Sequence, residues 1–200
     1  MYQKYFKRLF DIIFSLSLVL LLFPVMILIF FLVWFAIGFP IFTQKRPGLN
    51  NKIFTLYKFK TLYDTSKNIS EKKRQSKLGN FLRKTGLDEM PQLFNILENN
   101  MSFIGPRPLL VEYLKKYSNY QKKRHNVKPG ITGLAQINPD PSGLKSWKQS
   151  IKLDIYYVTK LSLYLDIKIL FKTIILILFK QKQYNDFKKF YEKKNFNTWV

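Results

Sequence analysis

Residues 12–43 read IIFSLSLVLLLFPVMILIFFLVWFAIGFPIFT, a run of 32 residues without a charged side chain. The run exceeds the short apolar region of a cleavable leader and has no small-residue cleavage site, so it is expected to remain as a membrane element. As one straight helix it would reach about 48 Å, against a hydrocarbon core of about 30 Å. Pro24 stands inside it, and proline removes a backbone donor and clashes with the preceding turn. Lys4, Lys7 and Arg8 precede the run, while Lys45 and Arg46 follow it. Basic flanks favour the cytoplasmic side, so a helix that breaks at Pro24 and returns to the face it entered satisfies both ends. The other reading is a tilted span with Pro24 as a tolerated kink, because neighbouring helices or water can satisfy the freed carbonyl.

Outward from this segment the chain turns polar and basic. Its 200 residues carry 34 Lys+Arg against 12 Asp+Glu, a formal net charge of +22. Such an excess implies an anionic partner: nucleic acid, a nucleotide-linked substrate or acidic lipid headgroups. Cysteine is absent, which excludes a disulfide framework, a thiolate metal site and a thiol nucleophile. The single histidine, His125, excludes a multi-histidine metal site and a histidine-based triad, and it is expected at the surface. The length left after the apolar run suits one domain with its own core.

Lys52 to Thr61 (KIFTLYKFKT) alternates well enough for a short strand, which would carry Lys58 and Lys60 on one face. Residues 64–77 are polar and charged and read as a loop. Leu78 to Arg83 reads as a short helical piece, and Thr85-Gly86-Leu87 interrupts it before Asp88 and Glu89. Asp88 can cap the next helix, with Pro91 in its first turn. Leu110, Tyr113, Leu114 and Tyr117 have helical spacing, and that helix should stop before Pro129. Residues 128–138 (KPGITGLAQIN) read as a loop or short extended piece whose glycines allow backbone to approach a ligand. From Leu144 to Leu165 apolar residues recur every three or four positions, giving one long amphipathic helix or two shorter ones. Residues 167–179 (IKILFKTIILILF) are too short for a span and are expected to lie in the membrane surface. The expected fold class is therefore α/β, mostly α-helical: an N-terminal re-entrant membrane helix, broken at Pro24, joined to a cytosolic catalytic domain with amphipathic interfacial helices and a small β element. Its divisions are 1–43, 44–180 and a basic, aromatic tail at 181–200.

The adjacent carboxylates Asp88 and Glu89, with Arg83 and Lys84 upstream and Arg107 downstream, are where chemistry on a phosphorylated substrate is expected. Attack on a diphosphate brings an anion to an anionic centre, so the site needs cations and a nucleophile ionised at neutral pH. Neighbouring helical residues point about 100° apart, which suits two carboxylates to two separate jobs. The plain alternative is Asp88 as an N-cap and Glu89 as a first-turn acid, and Arg107 as a surface arginine. Lys128, Gln136, Gly130 and Gly133 are open between the nucleotide side of a site and core or turn roles.

The ordered set TQKRPG (43–48), YKFKT (57–61), LGNFLRKTGLDEMPQLFNIL (78–97), MSFIGPRPLL (101–110), KPGITGLAQIN (128–138) and LDIYYVTKLSLYLDIKIL (153–170) resembles the bacterial sugar transferases that initiate glycan assembly. More narrowly, it resembles a small monotopic phosphoglycosyl transferase, over residues 4 to 172. The resemblance implies transfer of a phosphosugar from a UDP-sugar to a polyprenol phosphate such as undecaprenyl phosphate, with release of UMP. It implies Asp88 as nucleophile through a phosphosugar-enzyme intermediate, and Glu89 as a holder of Mg²⁺. It places Arg83 and Arg107 at the substrate phosphates, with Lys60 at a third phosphate-contacting position, and Pro24 at the membrane break. At Lys60 the family often has arginine, so charge is kept and bidentate geometry lost. Before the break proline relatives often carry serine, where this chain has Phe23. The implied location is the bacterial inner membrane, catalytic domain on the cytoplasmic face. UDP-sugar, polyprenol phosphate, membrane lipids and downstream glycosyltransferases are the implied partners, with no nucleic acid. The competing class is a membrane-anchored basic protein that binds nucleic acid or anionic lipid without catalysis, which predicts salt-dependent binding indifferent to Asp88 and Glu89.

Overall fold

The apolar run forms one helix rather than two arms. In the computed structural model, which describes residues 2–64, 70–138 and 147–178, a π-helical turn at Tyr2–Phe6 leads into helix α1, Lys7–Ile37. The expected break at Pro24 is corrected to a proline inside a continuous helix, standing on its exposed side. The lost donor is tolerated because packing holds both neighbouring turns: Leu18 and Val19 before Pro24 lie against one core cluster, and Leu22 and Met26 belong to another. The buried positions Lys7, Asp11 and Ser15, and then Met26, Ile29, Val33 and Ile37, recur at three- and four-residue spacing, with the partly buried Leu18 and Leu22 between the two groups. Most other side chains of the helix, among them Leu20, Leu21, Leu28 and Phe35, are exposed apolar groups. By length and composition the helix is long and apolar enough to cross a membrane.

Gly38, at φ 112°, ends α1, and the chain turns into strand β1, Ile41–Pro47. The last residues of the apolar run, Ile41 to Thr43, thus lie in β1. β1 pairs antiparallel with β2, Ile53–Phe59, in the register Gln44 to Leu56, across a turn in which Asn50 and Asn51 take positive φ. After β2 come the short helix α2, Glu71–Arg74, and α3, Lys77–Thr85. The expected 64–77 loop is therefore helical in part of its described length. Helix α4, Gln92–Leu97, precedes β3, Ser102–Ile104. The helix expected after Leu110 is split into a 3₁₀ piece at Val111–Lys116, helix α5 at Asn119–Lys122 and a 3₁₀ piece at Lys123–Asn126, because Ser118 and Gln121 form a capping box that restarts the chain. Strand β4, Gly130–Thr132, pairs parallel with β3, and α6, Leu134–Ile137, follows. The C-terminal amphipathic stretch resolves into α7, Trp147–Thr159, and α8, Leu163–Leu178. Leu144 and the tail at 181–200 lie outside the described residues.

The main core joins Phe54 and Leu56 of β2, Leu93 and Ile96 of α4, Phe103 and Ile104 of β3, Tyr157 of α7 and Ile169 of α8. A second cluster packs Met26, Ile29, Val33 and Ile37 of α1 on Phe59, Leu82 and Met90. Glycines let β3 and β4 pass closely: a Cβ on Gly130 would stand 2.1 Å from the Gly105 nitrogen, and one on Gly133 2.2 Å from the Gly105 oxygen. The glycines of 128–138 thus serve backbone-to-backbone approach. Helix α8 leaves Tyr164, Ile167, Phe171, Ile174 and Ile177 exposed along one face while Asp166 and Ile169 are buried on the other, which fits a helix lying along an apolar surface.

The basic flank of α1 docks it to the globular part. Lys7 Nζ donates to Asp166 Oδ2 of α8 at 2.6 Å and to the Tyr157 hydroxyl at 3.2 Å. The hydroxyls of Tyr2 and Tyr157 also donate to the Asp166 carboxylate, at 2.6 and 2.7 Å. Arg8 donates to the carbonyls of Ile96 and Leu97, the last turn of α4, at 2.6 and 3.0 Å. Asp11 accepts from the Ser102 hydroxyl and the Phe103 N–H.

Candidate active site

Helix α3 stops at Gly86, whose φ of 77° suits glycine, and the chain enters a 3₁₀ turn at Leu87–Glu89. The acids therefore precede α4, whose N-cap is Pro91 without a side-chain cap. The expectation that Asp88 caps the next helix is corrected: among the described residues its carboxylate has no hydrogen-bond donor, and its nearest cation is Lys58, Nζ to Oδ2 3.7 Å. Asp88 is buried, and burial lifts its pKa above the ordinary aspartate value, while Lys58, Arg83 and Arg107 pull against the rise and Glu89 adds to it.

Glu89 differs from its neighbour. Its Oε1 accepts from Lys58 Nζ at 2.6 Å and from Arg107 Nη2 at 2.8 Å. Burial pushes this carboxyl up, but Arg107 and Lys58 together outweigh it and hold it below the ordinary glutamate value. The adjacent acids are thus shifted in opposite directions from their normal values, Asp88 upward by burial and Glu89 downward by its two cations.

The cations arrive from three places. Lys58 continues the inward row of Phe54 and Leu56 on β2. Asn95 of α4 fixes that strand against the acids: its side chain accepts from the Tyr57 N–H at 3.0 Å and donates to the Thr55 carbonyl at 2.7 Å. Arg107 is half exposed and comes from the loop after β3. Arg83 of α3 donates through Nε to the Thr61 hydroxyl at 2.8 Å, close enough to act on Asp88 electrostatically. The structure thus gathers four of the expected residues, Asp88, Glu89, Arg83 and Arg107. Lys60 instead pairs with Asp64, beyond the end of β2. Lys58 is the residue beside the acid pair that the motifs do not single out, and strand alternation carrying it inward beside Leu56 is the signal that could have found it. Gln136 donates to the Ile131 carbonyl and Lys128 pairs with Asn99, so neither touches the acid pair.

His125 is buried rather than on the surface. Its Nδ1 meets Asn51 Oδ1 at 2.5 Å and its ring stacks edge-on against Tyr117, while burial and the neighbouring Arg124 hold its pKa down at about 4. No group of three or more His, Cys, Asp or Glu suited to a metal occurs among the described residues. A single carboxylate is nonetheless sufficient for Mg²⁺ when phosphate oxygens and water complete the shell. Glu89 fits that mode, since Oε1 takes both cations and Oε2 has no protein donor among the described residues.

An apolar helix on a mostly helical α/β body, with an acid pair ringed by lysine and arginines, defines a membrane-associated protein with an electrostatically divided carboxylate site. The chain belongs to the bacterial sugar transferase family, whose pattern it matches over residues 2–180. A Bacillus subtilis protein named uncharacterized sugar transferase EpsL is 42% identical, over 86% of this chain and 87% of its own length. A Klebsiella pneumoniae UDP-glucose:undecaprenyl-phosphate glucose-1-phosphate transferase is 39% identical over 84% of this chain and 39% of its own. A UDP-galactose-lipid carrier transferase of Erwinia amylovora is 33% identical over 91% of this chain and 42% of its own. The chain therefore spans most of the Bacillus relative and about two fifths of the other two.

Proposed function

We propose that this chain transfers a sugar phosphate from a UDP-sugar to a polyprenol phosphate at a membrane surface, in a two-step displacement through Asp88. The observation that carries the reading is the contrast within the acid pair. Glu89 is neutralised by Lys58 and Arg107, whereas Asp88 is buried beside the same cations without a donor on its carboxylate. A carboxylate so placed is a nucleophile whose charge is not spent on a hydrogen bond. Its oxygen attacks the β-phosphorus of the UDP-sugar, the bond to the bridging oxygen breaks, and UMP leaves. The polyprenol phosphate oxygen then attacks the same phosphorus, the bond to Asp88 breaks, and the carboxylate is regenerated.

Arg107 and Arg83 balance the charge of the diphosphate, and Lys58 holds both acids in place. Glu89 Oε2 would hold Mg²⁺, which lowers the electrostatic barrier to an anion attacking an anion. The exposed apolar faces of α1 and α8 support a site at a lipid surface, where the polyprenol acceptor resides. Both ends of α1 contact the same globular body, which supports a continuous helix held against that body with its exposed apolar side toward the lipid, and the globular part in the cytoplasm against the inner membrane. The names of the relatives point to UDP-glucose and UDP-galactose as the first donors to try.

The test is UMP release by the full chain in detergent with each UDP-sugar, Mg²⁺ and undecaprenyl phosphate. Asp88→Asn is expected to abolish release, and a phosphosugar adduct on Asp88 is expected by mass spectrometry when acceptor is omitted. Undiminished release by Asp88→Asn would overturn the nucleophile.

A further inference from the structure

The loop that delivers Arg107 is flanked by two residues without backbone N–H groups, Pro106 and Pro108. It is held instead through its carbonyls, and three consecutive ones are occupied. The Pro106 oxygen accepts from the Gly130 N–H at 3.1 Å, the Arg107 oxygen from Arg124 Nη2 at 2.7 Å, and the Pro108 oxygen from Arg46 Nη1 at 3.2 Å. Arg124 is 1% exposed, which is rare for a guanidinium. Its charge is met by Asp154 of α7, whose Oδ2 accepts from Nε at 3.1 Å and from Nη2 at 2.7 Å. Nη1 lies 3.3 Å from the Tyr117 hydroxyl, and the guanidinium sits over that ring at 5.8 Å from its centre. No shorter or less forked side chain reaches a carboxylate, a phenol and a loop carbonyl together.

We propose that Arg124 is a positioning residue: through the Arg107 carbonyl it fixes the loop so that the Arg107 guanidinium meets Glu89 and the substrate phosphate. The inference rests on the reading of Arg107 as a phosphate ligand. Asp154 and Tyr117 orient Arg124, and Arg46 steadies the next carbonyl. An atom of a phosphate clamp displaced by about 1 Å costs on the order of 100-fold in rate, so rigidity at the carbonyl translates into turnover.

The test compares Arg124→Lys, Arg107→Ala and the double variant in full-length protein, reading kcat and KM for UMP release with an unfolding midpoint as control. Arg124→Lys keeps a charge opposite Asp154 but cannot span all three partners. It is expected to lower kcat/KM by about 100-fold, with the same division between kcat and KM as Arg107→Ala, and to change little once Arg107 is gone. Should Arg124→Lys fold poorly, Arg124→Gln with Asp154→Asn leaves no unpaired buried charge and is expected to behave the same way. A purely structural role would lower kcat at constant KM and multiply with the Arg107→Ala loss, which would overturn the proposal. Wild-type protein that releases no UMP would instead remove the transferase reading, and this inference with it.

Discussion

Replacing Lys7 by methionine tests whether the first turn of α1 is part of the folded body. The Lys7 and Asp166 side chains are 9% and 5% exposed and 2.6 Å apart. At an effective dielectric of about 20 their gross attraction is roughly 6 kcal/mol, but taking both ions out of water offsets most of that. The greater cost appears when one partner is removed. Asp166 would then stay buried with only the hydroxyls of Tyr2 and Tyr157 as donors, and an orphaned buried charge costs about 3–5 kcal/mol. For a chain of this size that lowers the midpoint by about 6–20 °C. Adding Asp166→Asn removes the orphan charge while preserving an acceptor for both tyrosines, so the double variant should recover most of the loss. The assay is unfolding in detergent followed by the fluorescence of Trp34 on α1 and Trp147 on α7. A loss below about 1 kcal/mol for Lys7→Met, or losses that simply add in the double variant, would refute the reasoning.

Gly130→Ala places a Cβ 2.1 Å from the Gly105 nitrogen; it should cost more than about 1–3 kcal/mol, and UMP release should fall with it, whereas wild-type stability would show that the strands give way freely. Lys58→Met removes the strongest charge pulling the Asp88 pKa down. Because attack needs ionised Asp88, whose pKa burial already raises, the acid limb of kcat/KM should move to higher pH, and a limb that stays or moves lower contradicts the assignment. Glu89 contributes stability above the ordinary glutamate range that is lost as pH falls through its depressed pKa; Glu89→Gln should flatten the acid side of a stability-pH profile. Phe171→Glu puts a charge on the exposed face of α8 and should weaken partition into anionic vesicles about tenfold or more, with unfolding unchanged.

The strand at β2, the two C-terminal helices and the acid pair are legible in the sequence because local pattern decides them. Alternation and helical spacing are properties of neighbours along the chain. What is not legible depends on pairs far apart. Nothing local distinguishes Lys58 from Lys60, two residues along the same strand pattern; the strand simply ends at Phe59, so one lysine faces the acids and the other finds Asp64. His125 and Arg124 look like ordinary members of a basic segment, and only Asn51 and Asp154, at 74 and 30 residues' separation, make them interior groups. The flanking Lys7 and Arg8 read as topology signals, whereas the structure uses both as ligands of the globular part. Pro24 illustrates the same limit: its local preference for a break yields to packing on either side.

The docking of α1 also sets an order of events during synthesis. Lys7 finds Asp166 only after 159 further residues, and Asp11 finds Phe103 after 92. At about 5–20 residues per second, the ribosome needs roughly 8–30 s to supply Asp166. Until then the helix carries charges whose native partners do not yet exist. The apolar segment is thus made well before the partners that dock it, and a nascent chain stalled before α8 would hold that helix without its lock on the globular part.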